Sequence, residues 1–313
     1  MPLVSPQELQ KLQNNPANIR NVCIVAHVDH GKTTIADCLI STNGIISQRS
    51  AGKLRYMDNT AYEQARGITV KSSCISLQYI SKRAHGASGA SKSGAEATSS
   101  SAATEVASST SAQSQSYLVN LIDSPGHMDF SGEVSSALRM TDGCFLVVDA
   151  IEGVCIQTRA VLRQAWLEKV RPTLVINKID KLFSQLQLSP EEAYRQLLRI
   201  VEQVNLVLGE LWVEEQINQA DSAHLATAKK VKKSHGEEGA EEEGEGVTID
   251  VDAALDSDGL FGESVAVSME DAAEFEFSPE KGNVVFASAF HGWGFSIEDF
   301  VEMYATKLKM NRT

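Results

Sequence analysis

Residues Ala26-His27-Val28-Asp29-His30-Gly31-Lys32-Thr33 have the types and order that bind a polyphosphate. They follow the β-branched run Val22–Val25 and open a helical pattern that begins with Thr34 and Ala36. A loop between a strand and a helix turns its backbone N–H groups, and the helix's positive end, toward phosphate oxygens. Asp29, His30, Gly31 and Thr34 belong to this cradle, Lys32 reaches the β- and γ-phosphates, and the Thr33 hydroxyl ligates Mg²⁺. Ala26 stands where the general pattern has Gly, the smallest departure a side chain allows.

Four further motifs follow in order. Arg66-Gly67-Ile68-Thr69 supplies a loop threonine, and Asp123-Ser124-Pro125-Gly126-His127 closes a strand. Asn177-Lys178-Ile179-Asp180 closes another, and Ser288-Ala289 a third, with Phe290 next to it. Asp123 is placed to hold Mg²⁺ through water, and Thr69 to ligate the same ion only while a γ-phosphate is present, which makes its loop a switch. Gly126 lets backbone come close to that phosphate. Asp180 accepts two hydrogen bonds from guanine N1–H and its 2-amino group; adenine has no matching donors, and such sites reject the wrong ligand by roughly 10⁴-fold or more. Asn177 and Lys178 brace the base, and the Ala289 N–H is expected on guanine O6. The ligands expected are therefore GTP and GDP with Mg²⁺.

These motifs together resemble the translational GTPases of the elongation factor G class. Within that class, Gly52–Asp58 (GKLRYMD), Asn177–Leu182 (NKIDKL), Ser278–Phe286 (SPEKGNVVF) and His291–Phe295 (HGWGF) resemble the branch that acts in ribosome maturation. The eukaryotic translocation factor is the near relative and the alternative reading; it normally has Cys where Gly67 stands. The resemblance covers roughly residues 18–80, 117–212 and 277–310.

The resemblance implies a Ras-like P-loop G domain with Mg²⁺-dependent, ribosome-stimulated hydrolysis of GTP. It places His127 beside the attacking water, orienting it more than abstracting its proton, with Thr69 and Gly126 completing the catalytic set. It makes Val28 and Ile68 a hydrophobic gate in front of that histidine, and Asp29 a contact for a monovalent cation. Implied partners are the large ribosomal subunit, the Shwachman–Bodian–Diamond protein and the anti-association factor whose release the family promotes. A monomer in the cytoplasm is implied, without membrane contact. No arginine finger is assignable; Arg66 is the nearer candidate and Arg55 the lesser one.

The elements that must position these residues alternate. Strands are expected near 21–26, 74–80, 117–122, 143–149, 172–176 and 283–288, and helices near 32–42, 130–141, 156–168, 190–212 and 296–308. That is a three-layer α/β fold with a mostly parallel six-stranded sheet, helices on both faces, and nucleotide at the carboxyl ends of the strands. Ser189-Pro190-Glu191-Glu192 starts the long helix, whose Leu197, Leu198, Val201, Val204 and Leu208 are expected on one face.

One G domain is expected to span 1–313, interrupted twice. Residues 84–116 are mostly Ser, Ala, Gly and Thr, too poor in large apolar groups to offset ordering entropy, and read as a disordered loop. Residues 220–282 read as an acidic insert that opens on Lys229, Lys230, Lys232 and Lys233. Between Glu237 and Glu276 stand 15 acids and no Lys or Arg, more than the chain's net charge of −13. The acidity therefore resides in the insert and does not argue against a ribosomal partner. With the last helix near the end of the sequence, the family's later domains are expected to be absent. The five cysteines lack CxxC spacing; Cys23, Cys74 and Cys144 fall in strand patterns and read as small core groups, with no metal cluster or disulfide framework implied. There is no apolar run of spanning length and no signal peptide, which points to the cytosol.

Overall fold

The computed structural model describes residues 6–81, 115–234 and 275–308. Among these, the elements in chain order are α1 (Pro6–Gln13), β1 (Ile19–Ala26), α2 (Lys32–Thr42), α3 (Ala61–Arg66), β2 (Ser73–Ser81) and β3 (Gln115–Asp123). There follow α4 (Ser131–Arg139), β4 (Gly143–Asp149), α5 (Ile156–Leu167), β5 (Arg171–Asn177), α6 (Asp180–Ser184), α7 (Pro190–Ser234), β6 (Val284–Ser288), β7 (Trp293–Phe295) and a last helix, α8 (Ile297–Leu308).

The strands form one sheet in the order β2-β3-β1-β4-β5-β6-β7. The central pairs are parallel, while β2 and β7 run antiparallel at the two edges. The sheet thus has seven strands, not the six expected. The extra one, Trp293–Phe295, is too short to show a period, and the Gly292 backbone turns into it at φ +69°.

Continuous apolar runs in the central strands serve two cores at once, because successive side chains point to opposite faces. Cys23, Val25, Leu146, Val148, Leu174 and Ile176 join α4, α5 and α7 on one face. Ile24, Ala26, Val147 and Val175 face α2 and the segment around Met57 on the other. Each fully buried Leu or Ile here, such as Leu174 and Ile176, is worth roughly 1.5–3 kcal/mol of burial. The sheet is therefore the rigid platform from which the strand-end motifs project.

Ser189 caps α7 as expected: its hydroxyl lies 2.7 Å from Glu192 Oε2, and the Glu192 N–H faces that hydroxyl at 3.4 Å. Val201, Val204 and Leu208 are buried, but Leu198 is exposed, one residue off the buried stripe. The helix also runs to Ser234, through the lysine cluster expected to open the acidic insert. At the other end of that insert, Phe277 is buried in the main core and Phe275 sets its ring edge against Trp166 at 5.1 Å. Residues 235–274 lie outside the described residues. Cys74, expected inside, is exposed because β2 is an edge strand.

The serine-rich stretch lies outside the described residues, apart from Gln115 and Ser116, which open β3. Its flanks are informative: β2 and β3 stay in antiparallel register out to Ser81 opposite Gln115. A short turn can therefore replace the stretch. Deleting residues 86–114 should leave nucleotide affinity unchanged and the melting temperature equal or slightly higher, since each halving of a loop relieves only about 0.6 kcal/mol of closure entropy. Thermal unfolding of the deletion variant checks this; a fall of several degrees would mean that the stretch packs on the domain.

Candidate functional site

A pocket of 130 Å³ opens at the carboxyl ends of the central strands. It is lined by Val28, Asp29, Gly31, Lys32, Thr33 and Thr34 from the first motif, by Gly67, Ile68 and Thr69 from the second, by Gly126 and His127 from the third, and by Arg55. Motifs separated by up to a hundred residues thus meet because β1 and β3 are adjacent and parallel.

At its floor two hydroxyls converge, Thr33 Oγ1 and Thr69 Oγ1, 3.3 Å apart. Thr69 donates to Asp58 Oδ1 at 2.8 Å, which leaves its lone pairs free for a metal. Both carboxylate oxygens of Asp123 are buried without a hydrogen-bond partner among the described residues. Burial raises the Asp123 carboxyl to about 6, against the lowering effects of the Lys32 ammonium and the nearby Thr33 hydroxyl. A buried, partnerless carboxylate beside two convergent hydroxyls is the donor set that a hard divalent cation such as Mg²⁺ fits. Lys32 is itself buried, and desolvation lowers its pKa against the pull of Asp123 and Asp29.

Two glycines are fixed by close approach. A Cβ on Gly126 would strike Lys32 Nζ and lie 3.5 Å from the Val28 Cα. A Cβ on Gly31, whose φ is +96°, would strike Asn177 Nδ2. Asp29 and Lys178 also adopt left-handed backbone, at φ +61° and +63°, where non-glycine residues are uncommon.

Asn177 ties the phosphate and base motifs together. Its Nδ2 donates to the His30 carbonyl at 2.9 Å, and its Oδ1 accepts from the Ala289 N–H at 3.0 Å. That N–H, expected on guanine O6, is therefore engaged by Asn177 in this structure. Asp180 Oδ1 accepts from the buried Ser288 hydroxyl at 2.6 Å, and Lys178 pairs with Asp149 at 2.6 Å. Phe290 is exposed, with its ring edge 5.2 Å from His291. His30 takes part through its backbone: its ring is fully buried, and burial lowers its pKa. Its Nδ1 accepts from the Asp149 N–H at 3.2 Å, so the ring faces the sheet and not the pocket.

The sequence reading missed the groups that hold the switch loop. Asp37 is fully buried and accepts from the Gly52, Arg55 and Tyr56 N–H groups. Glu63 accepts from the Val70 and Lys71 N–H groups and closes a capping box with Thr60. Those bonds outweigh desolvation and bring its carboxyl down to about 2. Only the Thr60-x-x-Glu63 spacing announced any of this in the sequence. The order of the two arginines also reverses: Arg55 lines the pocket and pairs with Asp58 at 2.5 Å, whereas Arg66 lies over the Tyr62 ring, 4.6 Å from its centroid.

Asp123 yields a prediction with two parts. Its folded carboxyl binds a proton more tightly than the unfolded one, so the ligand-free domain loses stability as pH rises from about 4 toward about 6. Asp123→Asn should remove that loss, flattening the ligand-free stability between about pH 4 and about pH 6. The same change should weaken Mg²⁺-dependent nucleotide binding on the order of 10–100-fold. Thermal unfolding across that pH range and nucleotide titration, each with and without Mg²⁺, check both; a variant that still loses stability from about pH 4 to about pH 6 as the wild type does would contradict the raised carboxyl.

Comparison with known proteins agrees with this geometry. Residues 17–310 match the family described as the elongation factor Tu GTP binding domain. Elongation factor-like GTPase 1 of Homo sapiens is 47% identical over 312 residues, and that of Mus musculus 46% identical. Ribosome assembly protein 1 of Saccharomyces cerevisiae is 42% identical over 313 residues. Each alignment takes in 100% of this chain but 23% of the relative, so the chain spans about a quarter of the length of the curated relatives it matches. With its family match covering nearly the whole sequence, the chain belongs to the GTP-binding-domain family of elongation factor Tu.

Proposed function

We propose that this chain is the GTP-binding and GTP-hydrolysing switch domain of a cytoplasmic ribosome-maturation factor. The observation that carries it is the pocket itself. The Thr33 and Thr69 hydroxyls lie 3.3 Å apart with Lys32, Gly126 and His127 around the same pocket, and the buried Asp123 carboxylate neighbours Thr33 and Lys32. Mg²⁺, when bound there, neutralises charge on the β- and γ-phosphates. Thr33 and Thr69 offer it their hydroxyls, and Asp123 holds its water. Lys32 binds the β- and γ-phosphate oxygens, and Gly126 brings backbone to the γ-phosphate. His127 orients the attacking water from behind the Val28–Ile68 gate. Asp29 contributes to a monovalent-cation contact near the phosphates. Asn177, Lys178, Asp180, Ser288, Ala289 and Phe290 form the base site.

The maturation role rests on the names of the relatives and on the GKLRYMD, NKIDKL and HGWGF runs. Its finer form is release of the anti-association factor from the large subunit, acting with the Shwachman–Bodian–Diamond protein. Single-turnover GTP hydrolysis, with and without purified large ribosomal subunits, tests it. Tight GTP binding and slow intrinsic hydrolysis, on the order of 10⁻⁴ to 10⁻² s⁻¹, should be accompanied by acceleration with the subunits. Failure to bind GTP would overturn the site; binding without any response to subunits would overturn the ribosomal role.

A further inference from the structure

A second cluster of metal-ligating groups lies beside the phosphate loop, outside the pocket. Among the described residues, one ligand atom each from His27, Glu152 and Cys155 lies within 4.8 Å of the others. We propose that His27, Glu152 and Cys155 form a binding site for a single zinc-class transition-metal ion.

The three donors come from two segments held in fixed relation. His27 directly follows β1, whereas Glu152 and Cys155 stand between β4 and α5, and β1 pairs with β4 in parallel register. The β4–α5 turn is tight: Gly153, at φ +70°, donates its N–H to the Asp149 carbonyl at 2.9 Å. Cys155 then caps α5, its N–H bonded to Thr158 Oγ1 at 3.3 Å. Because the ligands are brought together by the sheet, no CxxC spacing marks them in the sequence.

Each ligand is also oriented from behind, as metal ligands are. Gln157, itself buried, sets its Oε1 2.8 Å from His27 Nδ1. The carbonyl oxygen fixes the proton on Nδ1, which leaves Nε2 with a lone pair to offer. On the other side, His30 Nε2 lies 3.3 Å from Glu152 Oε2 and 3.7 Å from Cys155 Sγ, with its Nδ1 held against the Asp149 N–H and the Val147 carbonyl. That contact aims the carboxylate, whose side chain is 52% exposed and leaves a path for the ion from solvent.

One nitrogen, one sulfur and one oxygen donor suit Zn²⁺, whereas Mg²⁺ and Ca²⁺ require oxygen sets. Three protein ligands leave the fourth tetrahedral position to water. On binding, the Cys155 thiol gives up its proton to the buffer, and its sulfur forms the bond to the metal. The ion would clasp the start of the phosphate loop to the turn before α5, apart from the Mg²⁺ position at Thr33, Thr69 and Asp123.

The test titrates Co²⁺, then Zn²⁺, into the whole chain saturated with Mg²⁺–GDP, so that the nucleotide's own metal position is filled. The expected result is one Co²⁺ per chain with tetrahedral visible bands and a thiolate charge-transfer band, both bleached by Zn²⁺. Zn²⁺ should also raise the melting temperature. Cys155→Ser keeps a good helix cap and should keep GDP affinity, yet lose the charge-transfer band and bind Zn²⁺ at least tenfold more weakly. Glu152→Gln should likewise weaken Zn²⁺ at least tenfold. Absence of stoichiometric binding in the wild-type chain, or a Cys155→Ser variant that binds as the wild type does, would overturn the proposal.

Discussion

Asp180→Asn should turn this domain from a guanine binder into a xanthine binder. In the wild-type chain Asp180 Oδ1 is already fixed by the Ser288 hydroxyl at 2.6 Å, and Ser288 is fully buried. The carboxylate therefore cannot swing to suit another base. Its other oxygen, which His291 Nε2 approaches to 3.6 Å, is the one proposed to meet the two donors that guanine presents, N1–H and the 2-amino group. Asparagine keeps an oxygen for Ser288 but places an NH₂ where those donors arrive. Two donors then face each other in a shielded site, and the cost is that of an unpaired buried polar group on each side. Xanthine carries a 2-oxo group at that place and accepts from the new NH₂. GTP affinity should fall by roughly 10³- to 10⁴-fold, while XTP gains. Competition of GTP, XTP and ATP against a fluorescent GDP analogue at fixed Mg²⁺ measures this. Wild-type binding of ATP as tight as that of GTP, or an Asp180→Asn variant that still prefers GTP, would remove the base from this end of the sheet.

What the sequence disclosed, and what it hid, divides along physical lines. The phosphate loop was legible because only a few residue types tolerate its geometry, as Gly31 at φ +96° against the Asn177 amide illustrates. The central strands were legible because burial on both faces leaves a continuous apolar run such as Cys144–Val148. The hidden groups act through tertiary contact. Asp37 looks like an ordinary helix residue until the loop 52–56 folds over it and donates three N–H groups. Asp58 is silent in the sequence, yet it aims the Thr69 hydroxyl. The engagement of the Ala289 amide by Asn177 depends on the spacing of β5 and β6, which no local pattern encodes. Leu198 and Cys74 were misplaced for a related reason: periodicity gives the apolar stripe or the alternation, but not its exposed margin or which strand is the edge.

His127→Ala should abolish stimulated hydrolysis while leaving GTP affinity within a few-fold. The ring is exposed at the rim of the pocket, its edge toward Phe130 with centroids 6.4 Å apart. It shares that rim with Val28 and Ile68, the two apolar side chains proposed above as the gate to the attacking water. The phosphate contacts proposed above fall instead to Lys32, the loop amides and the backbone at Gly126, none of which depends on the imidazole. Loss of a positioned group that orients the nucleophile is worth roughly 10²- to 10⁴-fold in rate, and under the proposed ribosomal role that loss should appear as a failure of large subunits to accelerate hydrolysis. Thr33→Ala supplies the contrast. Its hydroxyl is one of the two that converge on the floor of the pocket, so its removal should weaken Mg²⁺-dependent binding of both GTP and GDP. Single-turnover rates at saturating GTP, measured alongside nucleotide affinities for both variants, separate chemistry from binding. A His127→Ala domain that hydrolyses GTP at the wild-type stimulated rate would make the histidine structural, and orientation of the water would then have to come from backbone at Gly126 or from the ribosome itself.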